Sequence, residues 1–213
     1  ESLYNTNNYP FELIVKWQQT KGSCRARNEA IEHCSGEYIV FGDDDLRLAT
    51  NYIENHIRFL QTYKADACNG LDIRADHQNQ NLTDLQNKLD SLGNNRFVVG
   101  AAQFFNNANN CVKREFVDKL VGNDVNFDGG YGEDNDFGLS LTKMGVVVLQ
   151  NPFSNSLHLK PPVGGYRFCG NQAKILGKKR KKQPWELDTP VKFIRPVPSP
   201  TVMYFYYKQF GPK

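Results

Sequence analysis

The chain has 213 residues and a mass of 24.3 kDa, which is long enough for one well-buried domain, or for one domain and an appendage. Its mean hydropathy of −0.59 and its short apolar stretches exclude a membrane span within the sequence, since a spanning helix needs about 20 apolar residues. The formal net charge of +3 is too small to indicate nucleic acid as a partner.

Predicted strands and helices alternate along the chain. Short runs of β-branched and aromatic residues predict strands, and apolar residues three or four positions apart predict helices. The predicted elements are a turn and strand at 9–15, a helix at 27–34, a strand at 38–41, a helix at 51–64, strands at 67–73 and 97–105, helices at 113–121 and 133–144, and a strand at 146–149. Residues 76–95, rich in Asn, Gln and Asp, predict a loop or a loosely packed helix. This alternation predicts an α/β/α sandwich with a mostly parallel sheet.

The composition changes beyond Pro161. A basic block at Lys178–Lys182 is followed by prolines at 184, 190, 196, 198 and 200, and such a stretch is typical of a loop or tail rather than a core. We therefore predict one domain over residues 1–168 and a basic, proline-rich loop or tail over residues 169–213.

Two features of the sequence predict the cellular compartment of the protein: its cysteine pattern and the lack of a visible leader peptide. The five cysteines are widely scattered and show neither a CxxC pair nor a Cys/His spacing: Cys24, Cys34, Cys68, Cys111 and Cys169. This pattern predicts reduced thiols and no zinc site. Because no secretory or transit peptide is visible at Glu1, we expect a cytoplasmic protein, either free or peripheral to the inner face of the membrane.

Three consecutive carboxylates end the predicted strand at 38–41. Asp43, Asp44 and Asp45 follow Gly42, and clustered carboxylates cannot be buried unpaired without a cost of several kcal/mol. Exposure to water or a bound cation would remove that cost. Ligands of open α/β sheets lie outside the carboxyl ends of the strands, so the cluster suggests a divalent metal that itself holds a phosphorylated ligand.

A second acidic pair, Glu133 and Asp134, opens a predicted helix after a glycine-rich run. Carboxylates in a first helical turn are favoured by the helix dipole and by free backbone N–H groups, so helix capping is one explanation. Capping does not account for the run 127–132, whose glycines leave room for a ligand to approach.

Four motifs in this order resemble those of family 2 glycosyltransferases with the GT-A fold. They are Gly22-Ser23-Cys24-Arg25-Ala26-Arg27-Asn28-Glu29-Ala30, Phe41-Gly42-Asp43-Asp44-Asp45, Phe127-Asp128-Gly129-Gly130-Tyr131-Gly132-Glu133-Asp134-Asn135-Asp136, and His158-Leu159-Lys160. The resemblance runs from about residue 9 to residue 167. It implies a Rossmann-like GT-A domain with a nucleotide-sugar half at about 1–50 and an acceptor half at about 95–168. It also implies that the first strand, which would help to hold the nucleotide base, is missing here.

The resemblance implies a divalent metal, Mn²⁺ or Mg²⁺, that bridges the phosphates of a nucleotide diphosphate sugar. The implied metal ligands are Asp45, Asp43 and His158. The implied nucleotide-binding residues are Asp43, Asp44, Arg27, Lys160 and Arg167. Two of these assignments have a plain structural alternative: Asp44 would otherwise face solvent, and Arg27 would otherwise form an ordinary ion pair at a helix start.

The acceptor side follows from the same resemblance. Asp134 is the implied general base, with Glu133 binding the acceptor or sharing the proton transfer, while Asp136 lies on another helix face with a structural role. The implied reaction moves a sugar from a nucleotide diphosphate sugar, most simply a UDP-sugar, to a hydroxyl of a glycan or glycoconjugate acceptor, with inversion at the anomeric carbon.

Two other functions stay open from the sequence. A metal-dependent nucleotidyltransferase or phosphohydrolase would use the aspartate cluster but would not need the glycine-rich acidic segment. A non-catalytic carbohydrate-binding module would suit the abundance of Asn and the basic block, but it leaves both acidic clusters without a role.

Overall fold

The structure is a computed structural model that describes residues 9–102, 104–128, 132–159 and 200–212. Its helices are α1 (Ser23–Glu32), α2 (Tyr52–Tyr63), α3 (Leu82–Leu92), α4 (Arg114–Leu120), α5 (Glu133–Lys143) and α6 (Pro200–Phe210). Its strands are β1 (Tyr38–Gly42), β2 (Leu46–Leu48), β3 (Ala67–Arg74), β4 (Asn109–Lys113) and β5 (Val148–His158). Two 3₁₀ turns lie at Gly93–Phe97 and Val125–Phe127.

The five strands form one mixed sheet in the order β1-β4-β3-β5-β2. The α/β class is confirmed, but the sheet is not mostly parallel: of the pairings among the described residues, β3–β5 alone is parallel. The link from β3 to β4 includes α3, whose Leu85 and Leu89 pack on Ala75 and Leu157 near the carboxyl end of β3. Asn110 near the start of β4 pairs with Asn69, and Val112 further along pairs with Ala67 at the start of β3, so the two strands run antiparallel.

Strand alternation divides the core into two layers. Along β1, Ile39 and Phe41 belong to a cluster with residues of α4 and α5, whereas Tyr38 and Val40 pack on the side of α2. Alternate residues of a strand point to opposite faces, so this five-residue strand supplies both cores. The result is the predicted three-layer sandwich.

Two predicted strands are wrong. The segment 97–105 continues from a 3₁₀ turn into irregular backbone with one isolated bridge at Ala101, and Val98 is 71% exposed. Residues 9–22 likewise contain no helix or strand, and Phe11 is 62% exposed. Segment 97–105 pairs with β5 only at this bridge, which joins Ala101 to Leu149, and residues 9–22 pair with no strand in the described part of the chain. Apolar composition alone therefore does not produce a strand.

Sequence analysis missed the strands β2 and β4, and β4 begins with two asparagines. Asn109 is fully buried, and its side-chain oxygen accepts hydrogen bonds from Tyr52 Oη at 3.0 Å and from His56 Nε2 at 3.0 Å. Its side-chain nitrogen donates to Ser156 Oγ at 2.9 Å. Buried amides are tolerated when they are satisfied in this way, so polar composition did not prevent a central strand.

A bulge in β5 fixes the register of the sheet's acidic end. Gly70 pairs with Asn151, whereas the next residue, Leu71, pairs with Asn155, so β5 carries three extra residues at this point. A Cβ on Gly70 would lie 1.9 Å from Asn109 Oδ1 and 2.4 Å from the Ser154 carbonyl oxygen. Glycine is therefore required where the bulge passes β3.

The end of the chain forms a docked helix. The predicted loop or tail is corrected for residues 200–210, which form α6 and pack on α5. Lys208 Nζ lies 2.7 Å from Asp136 Oδ2 and 2.8 Å from Asp124 Oδ2, and Gln209 Nε2 donates to Asp136 Oδ1 at 2.6 Å. The helix is stabilised by these long-range contacts, which local composition does not show.

Cys24, Cys34, Cys68 and Cys111 are free thiols, while Cys169 lies outside the described residues. In the described part of the chain, no helix combines the length and apolar character needed to cross a bilayer.

Replacing Gly70 with alanine tests the bulge. We expect Gly70→Ala to lower the free energy of unfolding by about 1–3 kcal/mol, because the added methyl group overlaps Asn109 and Ser154. Gly100→Ala is the matched control, since a Cβ there meets nothing within 4 Å. Urea denaturation measures both, and an equal effect of the two substitutions would contradict the role given to Gly70.

Candidate active site

The acidic loop after β1 is held against the end of β5. Leu46, the first residue of β2, pairs with His158, and the backbone N–H of Leu159 donates to the Asp45 carbonyl at 2.8 Å. The loop 43–45 is thus held between β1 and β2 at the end of the sheet. This pairing brings Asp45 beside His158 although they lie 113 positions apart in sequence.

Asp43, Asp45 and His158 form a cluster that could hold a metal ion, with one ligand atom from each lying within 4.8 Å of the others. His158 Nε2 is 3.2 Å from Asp45 Oδ1 and 4.0 Å from Asp43 Oδ2. Two carboxylates and an imidazole nitrogen suit Mn²⁺, and Mg²⁺ would rely mainly on the oxygens. The donor set therefore fits the metal that sequence analysis expected.

The other ring nitrogen of His158 contacts a carboxylate that sequence analysis did not single out. His158 Nδ1 lies 3.0 Å from Asp72 Oδ2. This hydrogen bond raises the pKa of His158, as do the charges of Asp72 and Asp45, while burial opposes them. Burial alone would raise the pKa of Asp72, but hydrogen bonds from His158 and Ser156 hold it below its ordinary value. Each ring nitrogen of His158 thus lies beside a carboxylate, Nδ1 beside Asp72 and Nε2 beside Asp45.

Arg27 lies between the two acidic groups. Its Nη2 is 3.5 Å from Asp43 Oδ1, and its charge also acts on Asp134, whose pKa it lowers. Its Nη1 is buried and has no hydrogen-bond partner among the described residues. A buried guanidinium nitrogen without a partner is costly, and an anionic ligand in the cleft would satisfy it.

Neighbouring residues of the first motif hold α1 in place. The Asn28 side chain donates to the carbonyl of Asn123 at 2.8 Å and accepts from its N–H at 2.7 Å. Asp128 accepts from the backbone N–H of Cys24 at 2.7 Å and caps the start of the helix. These contacts make Asn28 and Asp128 supports for Arg27.

The second acidic pair opens α5. Gly132, at φ 109°, forms the turn that starts the helix, and Asn107 Nδ2 donates to Asp134 Oδ1 at 2.5 Å. Burial raises the pKa of Asp134 to about 7, and the charges of Glu133 and Asp43 contribute, against the opposing charge of Arg27. A carboxyl group with this pKa can exchange a proton near neutral pH.

The two acidic groups lie near each other, since the charges of Asp43 and Arg27 both act on Asp134. A cavity of about 490 Å³ is lined by Asp72, Glu133 and Asp134, and Asp72 connects it to the metal-type cluster of Asp43, Asp45 and His158 through its contact with His158. Its wall also carries amides and one half-exposed aromatic ring, from Asn69, Asn106, Asn135, Gln150 and Phe104. The cavity has the size of a small-molecule site.

The predicted site residues fall into three groups. Those brought together are Glu133 and Asp134, which line the cavity, and Asp43, Asp45, His158 and Arg27, which form a group of contacts beside it. Asp44 is exposed, and the buried Asp136 is bound to α6, which agrees with a structural role. Lys160 and Arg167 lie outside the described residues.

Sequence reasoning missed Asp72 and did not foresee that Asn107 contacts Asp134. Asp72 interrupts the end of a predicted apolar strand, which was a usable signal. Asn107 lies within an Asn-rich segment that resembles ordinary loop material. Its role depends on a contact across 27 residues, which local sequence does not reveal.

The mixed α/β sheet with an acidic loop and an acidic helix start at one cleft has the GT-A fold. The family described as Glycosyl transferase family 2 matches residues 2–121, and the chain belongs to this family. A comparison with curated proteins finds no match.

Solved structures show the same fold. One is the mannosyltransferase PcManGT from Pyrobaculum calidifontis in complex with GDP-Man and Mn²⁺, with a TM-score of 0.50 and 19% identity, covering 80% of this chain and 48% of that one. Another is GalNAc-T7 with UDP, GalNAc and Mn²⁺, with a TM-score of 0.51 and 12% identity, covering 89% and 41%. This chain therefore spans about half of those proteins or less.

Substitution of Asp45 tests the metal cluster. Mn²⁺ should stabilise the wild-type protein, by about 2.7 kcal/mol at a concentration one hundred times the Kd, and Asp45→Ala should remove this gain. Asp44→Ala, an exposed neighbour, should keep it. Thermal unfolding with Mn²⁺ and with EDTA measures the difference, and a full Mn²⁺ response in Asp45→Ala would exclude Asp45 from the site.

Proposed function

We propose that the protein is a metal-dependent inverting glycosyltransferase that moves a sugar from a nucleotide diphosphate sugar to a hydroxyl of a glycan or glycoconjugate acceptor. The observation that supports this most is the cleft itself. A cluster that could bind a cation lies beside the cavity, and a carboxyl group with a pKa of about 7 lines it. Transfer of a sugar from a phosphate to a hydroxyl can use both features, the cation at the leaving diphosphate and the carboxylate at the attacking hydroxyl.

The donor side would be formed by Asp43, Asp45, His158 and Arg27. The first three would hold Mn²⁺ or Mg²⁺, which when bound supplies Lewis-acid stabilisation of the negative charge on the diphosphate leaving group. The unpartnered Nη1 of Arg27 would donate to a phosphate oxygen. Lys160 and Arg167 remain proposed nucleotide-binding residues, and Asp44, being exposed, is the weakest of the proposed set.

The acceptor side would be formed by Glu133 and Asp134. Asp134 would take the proton of the acceptor hydroxyl while that oxygen attacks the anomeric carbon and the nucleoside diphosphate leaves with the bonding electron pair. Asn107 holds one oxygen of Asp134 at 2.5 Å and would leave the other for the acceptor. One displacement with one base inverts the anomeric centre.

The wall of the cleft supports a carbohydrate acceptor. The amides of Asn135 and Gln150 can each donate and accept hydrogen bonds, as sugar hydroxyls do, whereas the Asn69 amide is already paired with the Phe104 carbonyl and the Asn106 N–H. Phe104, 58% exposed, offers a ring face for stacking. Because the similar structures carry GDP-Man in one case and UDP in the other, a UDP-sugar donor rests on the family resemblance alone.

Replacing the proposed base tests the reaction directly. With a donor found by screening nucleotide sugars for Mn²⁺-dependent stabilisation, Asp134→Asn should lower kcat by about 10²–10⁴-fold and keep donor affinity. Asp118→Asn, on the exposed side of α4, is the matched control. Coupled assay of nucleoside diphosphate release and calorimetry give the two quantities, and full transfer by Asp134→Asn would refute its role as base.

The pH dependence gives an independent test. The ionised form of Asp134 is the one that accepts a proton, so a pKa raised to about 7 predicts activity that is full above this pH and lost below it. With saturating donor and Mn²⁺, kcat should fall about tenfold per pH unit on the acid side. A kcat that stays constant from pH 8 to about 5 would be inconsistent with this assignment.

A further inference from the structure

Nε2 of His158 faces Asp43 and Asp45, and a hydrogen-bond network that begins at Nδ1, the other ring nitrogen, fixes its orientation. We propose that Asp72 is a positioning residue for His158: it fixes Nδ1 as the protonated nitrogen and so directs the lone pair of Nε2 toward Asp43 and Asp45. The inference rests on the proposed function in that it assigns His158 to a metal site. Asp72 acts through His158 and is not itself proposed as a ligand.

Asp72 is the point at which the donors of the network converge. Its Oδ2 lies 3.0 Å from His158 Nδ1, and its Oδ1 accepts from Ser156 Oγ at 2.9 Å. Each carboxylate oxygen thus has one partner, and the side chain is 10% exposed. A carboxylate held at both oxygens cannot rotate, so the ring that donates to it is held as well.

The network continues into the protein core in one donor direction. Ser156 Oγ, which donates to Asp72, accepts from Asn109 Nδ2 at 2.9 Å. Asn109 Oδ1 in turn lies 3.0 Å from His56 Nε2, and His56 Nδ1 lies 3.2 Å from Cys68 Sγ. Burial lowers the pKa of His56 to about 4, so its ring is neutral and carries one proton.

With that proton on Nε2 of His56, every link has a donor and an acceptor. Cys68 donates to His56, His56 to Asn109, Asn109 to Ser156, and Ser156 to Asp72. Tyr52 Oη supplies a second donor to Asn109 at 3.0 Å. A fully satisfied buried network is rigid, whereas a partly satisfied one is costly. Its rigidity ties the orientation of His158 to strands β3, β4 and β5 and to helix α2.

The bulge in β5 creates this alignment. Before the bulge, Gly70 pairs with Asn151, so an even-numbered residue of β3 lies opposite an odd-numbered residue of β5. After the bulge, Asp72 pairs with Ser156, so even-numbered residues lie opposite each other. An odd number of inserted residues exchanges the two faces of a strand. Ser156 and His158 therefore share the face of Asp72. The same bulge that requires Gly70 thus places Asp72 behind His158.

Mn²⁺ titration of the full chain tests the proposal. Asp72→Asn should weaken Mn²⁺ binding about 10–100-fold, because the amide can donate to Nδ1 and place the ring proton on Nε2. Asp66→Asn is the matched control: Asp66 precedes the same strand, pairs with Lys113 at 2.8 Å and has no contact with His158 in the described structure. Its Mn²⁺ affinity should stay within about twofold of wild type.

A second measurement needs no metal. Imidazole ¹⁵N shifts of His158, recorded at alkaline pH without metal, should report the Nδ1–H tautomer in wild type and Asp66→Asn, and its loss in Asp72→Asn. If Asp72→Asn fails to fold, Ser156→Ala, which removes one of two hydrogen bonds to Asp72, should show a smaller change of the same sign. An unchanged tautomer in a folded variant, or Mn²⁺ affinity equal to wild type, would overturn the proposal.

The two proposals fail differently. A wild-type protein that binds no Mn²⁺ would refute the metal site of the proposed function, while the tautomer measurement would still decide the role of Asp72. If Asp72→Asn binds Mn²⁺ as tightly as the wild-type protein does, the positioning role of Asp72 is refuted and the proposed function still stands.

Discussion

Concentration of negative charge at one end of the sheet is the constraint on which the rest of the structure depends. Asp43, Asp45 and Asp72 gather around His158, and Glu133 with Asp134 lies across the cleft. Buried carboxylates are stable only when they are paired, protonated or bound to a cation. The structure uses an imidazole and a guanidinium for part of this charge, while burial, with the charges of Glu133 and Asp43 adding to it, raises the pKa of Asp134.

Supports for this charged cleft come from distant parts of the chain. Asn28 and Asp128 join α1 to the segment before α5, so Arg27 is positioned by residues that are distant in sequence. Lys208 of α6 neutralises the buried Asp136 in the first turn of α5, the turn that carries Asp134. Residues far outside the matched family segment therefore help to hold the proposed base.

Local sequence predicted the elements that are both apolar and periodic. The helices α2 and α5 and the strands β1 and β3 lie close to their predicted ranges. The predicted strand at 97–105 and the missed strand β4 show the limit of composition. Whether a segment becomes a strand depended on backbone pairing over several residues and on partners for the buried amide of Asn109, and both are properties of the folded sheet.

The sequence by itself determined the family, the acidic motifs and the residue types able to hold a cation and to accept a proton. Tertiary structure decided which of these residues meet. It brought His158 to Asp45 through the pairing of β2 with β5, and Asp72 behind His158 through the bulge at Gly70. The physical reason is that side-chain chemistry is a local property of the chain, whereas strand register and helix docking are set by contacts between residues far apart in sequence.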